Sequence, residues 1–127
     1  MPLAPVRILP AYKKYSFEGS LEGWTSNYPQ YVTISDAWAT DGNYSVAITD
    51  YIVYIQKKID LTNVNYMLLD FKTTGGASDA IRVFINGVQV YSFDGLAEKR
   101  DVKIDVSGYT GLCTVKIMYD LVVFGGV

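Results

Sequence analysis

The run Ala80-Ile81-Arg82-Val83-Phe84-Ile85-Asn86-Gly87-Val88-Gln89-Val90-Tyr91 limits the fold most strongly, because Asn-Gly joins two alternating runs of apolar and polar residues. Asn and Gly accept positive φ at both central positions of a type I′ turn, whose twist matches that of the strands on either side. A two-residue turn also sets a register. Ile85 then pairs with Val88 and Val83 with Val90 on one face, while Phe84 pairs with Gln89 and Arg82 with Tyr91 on the other. A chain built around such a hairpin is built around antiparallel β-structure.

The rest of the chain agrees. Period-two alternation and β-branched or aromatic enrichment predict strands at 15–18, 24–28, 31–36, 44–49, 51–59, 66–73, 80–85, 88–93, 100–106 and 113–124. No stripe of 3.6-residue period persists. With 127 residues, half of them apolar, one domain can bury about two-thirds of its unfolded surface. The expectation is an all-β, antiparallel two-sheet β-sandwich spanning 15–127, in which the strands at 15–18 and 113–124 lie side by side. Pro2, Pro5 and Pro10 exclude a helix interior and suit a central strand poorly, so residues 1–14 read as an extended arm, either solvated or docked on a neighbouring subunit.

Several function classes drop out on composition. Eleven basic against thirteen acidic residues give a formal charge of −2, which argues against a nucleic-acid partner. No apolar run approaches the roughly 18 residues of a membrane span. Histidine is absent, which removes the commonest general base and the commonest zinc ligand. There is no nucleophile elbow and no phosphate-cradling glycine loop. Asp101 and Asp105 share a strand face with Lys103 between them as a charge partner, so they read as a solvated face rather than a glycosidase pair. The chain is therefore expected not to be an enzyme. Cys113, in the run Leu112-Cys113-Thr114-Val115, suits a buried small hydrophobe. Met1–Pro10 lacks the pattern of a signal peptide, which leaves the compartment undefined, with an extracellular or virion-associated role favoured over a cytoplasmic one.

Eleven tyrosines exceed what packing requires and fit a recognition surface. The outward set of the hairpin, Arg82, Phe84, Gln89 and Tyr91, mixes rings with planar polar groups. The same parity gathers Tyr54, Gln56 and Lys58 opposite Val53 and Ile55, and Tyr66, Asp70 and Lys72 opposite Met67, Leu69 and Phe71. A pyranose offers a C–H face to stack and a rim of hydroxyls to hydrogen-bond, so Tyr54, Gln56, Arg82, Phe84, Gln89 and Tyr91 are candidate glycan contacts. Trp38 joins them as a loop candidate, whereas Trp24 reads as core. Asp120, among Met118, Tyr119, Leu121 and Val122, needs an ion pair, a hydrogen bond or a cation.

Phe17-Glu18-Gly19, Leu21-Glu22-Gly23-Trp24, Asp41-Gly42-Asn43-Tyr44-Ser45-Val46-Ala47-Ile48 and Tyr119-Asp120-Leu121-Val122-Val123-Phe124 together resemble the carbohydrate-binding-module jelly roll of the galactose-binding-like superfamily. Ile59-Asp60-Leu61 and Asp105-Val106-Ser107-Gly108-Tyr109-Thr110-Gly111 are similar too, so the likeness covers about residues 15–124. It implies jelly-roll topology, a glycan or polysaccharide partner, and a structural calcium ion held by Glu18, the Asn43 carbonyl and Asp120. Calcium takes six to eight oxygens and would account for an acid in an apolar strand; a backbone or tyrosine hydrogen bond to Asp120 would do so without a metal. Two functions remain open on the sequence: non-catalytic glycan binding, or a structural role in a virion or phage tail, with residues 1–14 and the tyrosine-rich face contacting other copies or coat proteins.

Overall fold

Leu3, Val6 and Ile8 point inward from one strand and Val53, Ile55 and Ile59 from another, and each is almost completely buried. In a computed structural model, which describes residues 1–10, 13–76 and 78–121, such alternating strands form two antiparallel sheets. The first sheet contains β1 (Pro2–Leu9), β2 (Lys13–Tyr15), β4 (Val32–Ser35), β5 (Ser45–Ile48), β7 (Tyr66–Lys72) and β10 (Glu98–Asp105). Its order is β10-β7-β1-β5-β4, with β2 also paired to β1. The second contains β3 (Thr25–Ser26), β6 (Val53–Asp60), β8 (Asp79–Ile85), β9 (Val88–Asp94) and β11 (Leu112–Leu121), in the order β3-β6-β11-β8-β9. The only helical turn among the described residues is a 3₁₀ turn at Pro29–Tyr31. None of the described helices is long and apolar enough to cross a membrane.

The inner faces make one core. Met67, Leu69 and Phe71 from the first sheet meet Ile81, Val83, Ile85, Val115 and Ile117 from the second, all at 0% exposure. Trp24 is core as expected, edge-on to Tyr15 with centroids 5.5 Å apart. Cys113 is buried as well.

Residues 2–9 correct the expectation of an arm, because β1 lies between β7 and β5 at the centre of the first sheet. Proline is tolerated at the first residue of a strand, at a bulge and beyond a strand end. Pro2 begins β1, Pro5 sits where the β1–β7 register shifts between Leu3 and Val6, and Pro10 follows the last residue. The side-by-side arrangement of 15–18 and the last strand is also corrected. Residues 13–15 pair with β1, residues 16–24 form no strand, and β11 pairs with β6 and β8. The expected extension of the last strand to 124 lies outside the described residues.

The Asn-Gly turn forms as expected, with φ of 50° at Asn86 and 81° at Gly87. Ile85 pairs with Val88 and Phe84 with Gln89. Beyond that point the expected register fails: Val83 pairs with Tyr91 and Arg82 with Ser92, because Val90 is an extra residue in β9. Such a bulge reverses the parity of everything that follows it on its strand.

Candidate functional site

β6, β11 and β8 are neighbours in the second sheet, and their outward residues form rows across it. Gln56, Lys116 and Phe84 are in one register row, and Gln89 of β9 extends it. Tyr54, Met118 and Arg82 form the next. The Lys116 ammonium lies 4.8 Å from the Tyr54 ring centroid and 4.9 Å from that of Phe84, so one cation bridges two rings across the central strand. The ammonium is attracted to the negative faces of both rings, which fixes their spacing. Beside Gln56, a recess of about 280 Å³ is lined by Gly23, Thr25, Gln56, Lys57, Lys58 and Thr114.

Arg82 is held from two sides. Its Nη1 donates to Asp94 Oδ1 at 2.6 Å and its Nε to Asp120 Oδ2 at 3.3 Å. The ion pair answers the question posed by Asp120, whose second oxygen accepts the Leu121 N–H at 2.8 Å. Five of the predicted contacts, Tyr54, Gln56, Arg82, Phe84 and Gln89, are thus brought to one outer face. Tyr91 is not among them: the bulge at Val90 turns it toward Val83 and the core, and burial pushes its phenol pKa upward. Trp38 also lies elsewhere, with Nε1 donating to Glu98 Oε1 of β10 at 2.5 Å. The expected widening by Tyr66, Asp70 and Lys72 does not occur, because β7 belongs to the other sheet.

Lys116 and Met118 are the residues missed on this face. Their outward parity is legible in the alternation Cys113 to Tyr119, but nothing local says that β11 runs between β6 and β8.

The outer face of the first sheet is organised differently. Asp70, 5% exposed on β7, is opposed by register irregularities on both sides, between Leu3 and Val6 of β1 and between Lys99 and Val102 of β10. It accepts from the Thr40 hydroxyl, the Asp101 N–H at 2.7 Å and Arg7 Nη2 at 3.4 Å, and Arg7 also binds Asp101. Lys14 and Ser16 bind Asp41 at 2.9 and 2.7 Å, and these bonds hold its carboxyl below the usual range. A polar recess of about 280 Å³ lies among these groups. Each aspartate in it has a partner within the protein, and together they hold the 36–44 segment against the sheet. Of the expected Lys103 partners, Asp101 is bound by Arg7 instead, whereas Asp105, which accepts from Ser107, is held below the usual carboxylate range by those bonds and by the Lys103 charge; the Lys103 ammonium lies 4.3 Å from the Tyr66 ring centroid.

Glu18 and Asp120, the acids implied for calcium, each have a partner within the protein. Glu18 Oε1 accepts the Asn43 N–H at 2.7 Å, whereas Asp120 is given to Arg82 in the second sheet. Among the described residues, no group of three or more Asp, Glu, Cys or His is arranged to hold a metal ion.

No protein-family model matches the chain, and neither the curated proteins nor the solved structures yield a match. What stands is the class: an all-β, two-sheet antiparallel sandwich with an aromatic and polar outer face.

Proposed function

We propose that the protein is a non-catalytic binding module whose ligand is a glycan, taken up on the outer face of the second sheet. The observation that carries this reading is the Tyr54–Lys116–Phe84 bridge with Gln56 and Gln89 in the same row. Two rings held at fixed spacing offer stacking surface with little conformational entropy left to lose on binding. Amides and a guanidinium beside them can select among sugar hydroxyls. Tyr91 and Trp38 are no longer part of the site, and the proposal needs no ion.

Apart from the β8–β9 hairpin, which stays in one sheet, the strands from β5 to β11 alternate between the two sheets; this supports a jelly-roll winding, the architecture that the sequence resemblance implies. The assembly reading loses the free arm on which it leaned, since residues 2–9 form a central strand of the first sheet.

A glycan-array screen, followed by titration of the best polysaccharide against intrinsic fluorescence, tests the proposal. Tyr54→Ala and Phe84→Ala are expected to remove the response while near-ultraviolet circular dichroism still reports a packed core. A response unchanged in both variants, or no glycan bound at all, would overturn it.

A further inference from the structure

The recess beside the ring pair has a lining unlike the rest of the outer face. Its volume is about 280 Å³, and Gly23, Thr25, Gln56, Lys57, Lys58 and Thr114 surround it. Two ammoniums, two hydroxyls and an amide are therefore present, and no carboxylate is. Strand order builds it: Thr25 of β3 is in register with Gln56 of β6, and Lys58 of β6 with Thr114 of β11, all four on the outward side. Lys57 leaves β6 on the other side, but its ammonium reaches Gly23, where a Cβ would lie 2.4 Å from Lys57 Nζ. Gly23, at φ of +86°, leaves open the space that this ammonium takes.

Among the described residues, neither Lys57 nor Lys58 has an ion pair. Lys57 lies 5.8 Å from the Tyr15 ring centroid, a distant cation–π contact. The acids closest in sequence act elsewhere. Asp60 accepts the Thr62 N–H at 2.9 Å, and the charge of Glu22 is felt at Tyr15, whose phenol pKa is raised by burial and then by that charge. The Thr25 hydroxyl has only a long bond, 3.5 Å, to the Gln56 carbonyl. In the polar recess of the first sheet, by contrast, Arg7 and Lys14 are each bound to an aspartate. Ammoniums and hydroxyls gathered without an acceptor are matched by an oxyanion, whose oxygens accept from all of them.

The far end of the same face has the other sign. Arg82 lies there between Asp94 and Asp120, one cation to two carboxylates. Lys58 and Tyr54 are four residues apart on β6, about 13 Å at the rise of a strand. A chain laid along β6 thus meets ammoniums first, then rings, then a net negative charge. A uniform polyanion such as a nucleic-acid strand would carry its charges past Asp94 and Asp120, and like charges there oppose it. A neutral chain with one acidic group meets no such opposition.

We propose, resting on the sheet-face glycan reading, that this recess is an oxyanion site and that the ligand is a glycan of neutral sugars bearing one acidic group. That group is a uronic carboxylate or a sulfate ester. Lys57 and Lys58 supply the positive charge for it, and the Thr25 and Thr114 hydroxyls donate to its oxygens. A neutral sugar further along the chain then stacks on Tyr54, so the lysine pair sets the direction in which the glycan lies.

The test is fluorescence titration of the full chain with oligosaccharides of glucose, galactose, mannose and xylose, each as the neutral chain and as the same chain carrying one uronic acid or one sulfate ester. At least one acidic member is expected to bind about tenfold tighter than its neutral parent. That ratio is expected to fall below about twofold in Lys57→Gln/Lys58→Gln, and likewise in the wild type at about 0.5 M salt. Lys58 is exposed, so Lys58→Glu is expected to keep the wild-type near-ultraviolet circular dichroism while making the neutral parent the better ligand. A preference for the uronic or for the sulfated members supports the site and says which oxyanion it takes. Equal binding of acidic and neutral members, lost for both in Tyr54→Ala/Phe84→Ala, would overturn the oxyanion site and leave the face reading standing. An acidic preference retained in both lysine variants would overturn it, as would tighter binding of a single-stranded oligonucleotide. No binding by any member would overturn both readings.

Discussion

The Glu18 carboxylate occupies the space that a side chain at Gly42 would need: a Cβ there would lie 1.5 Å from Glu18 Oε1. Gly42 also has φ of +71°, and the next N–H, that of Asn43, is the one Glu18 accepts. Gly42→Ala is therefore expected to lower stability by about 2 kcal/mol in urea unfolding, from backbone strain plus displacement of the carboxylate. Gly19→Ala, at φ of +108° with open space around it, should cost less. In a double-mutant cycle, Glu18→Ala should recover part of the Gly42→Ala loss; strict additivity would refute the contact.

Asp79 gives a pH prediction. It is fully buried and accepts from the Tyr51 and Tyr119 hydroxyls and the Gly75 N–H, each at 2.6 Å. Burial alone would raise its pKa, but the Tyr119, Tyr51 and Gly75 hydrogen bonds outweigh it and hold the value below the usual carboxylate range. A depressed folded pKa means stability that is fully present above about pH 4, where the unfolded carboxyl is ionised, and that is lost as pH falls through the lower folded value. Acid titration of the melting temperature should show this loss in the wild type. Asp79→Asn should be less stable by about 2–3 kcal/mol at pH 7 and should lack that acid-dependent component.

Deleting residues 2–9 should abolish cooperative unfolding, because it removes a strand paired on both sides with Leu3, Val6 and Ile8 in the core. A truncated chain that melts like the full one would restore the arm reading.

Chelation should leave the melting temperature unchanged. Glu18 and Asp120 have separate protein partners, and a ligand bound only by the native state would otherwise have to raise its stability. A drop on adding chelator that is restored by calcium would contradict this.

On the sheet face, Lys116→Met should leave the fold intact and weaken glycan binding less than Tyr54→Ala or Phe84→Ala. It removes the cation that spaces the rings but keeps the stem between them. Fluorescence titration of the three variants ranks them.

How much of this was legible depended on the range of the signal. The all-β class, the type I′ turn, the outward parity of Tyr54 and Gln56 and the burial of Trp24 and Cys113 follow from alternation, turn chemistry and hydrophobicity, which act between neighbours in the chain. β1 was hidden because Pro2 and Pro5 within it and Pro10 just after it mimic a linker; the alternation Val6-Arg7-Ile8 was its only local sign. The bulge at Val90 was hidden because a one-residue slip depends on what the other face of β9 must pack against. Which strands adjoin, that Asp120 goes to Arg82 rather than to Glu18, and that Lys116 comes between two rings were decided only in tertiary structure. Strand order brings together residues tens of positions apart, and no local preference encodes it.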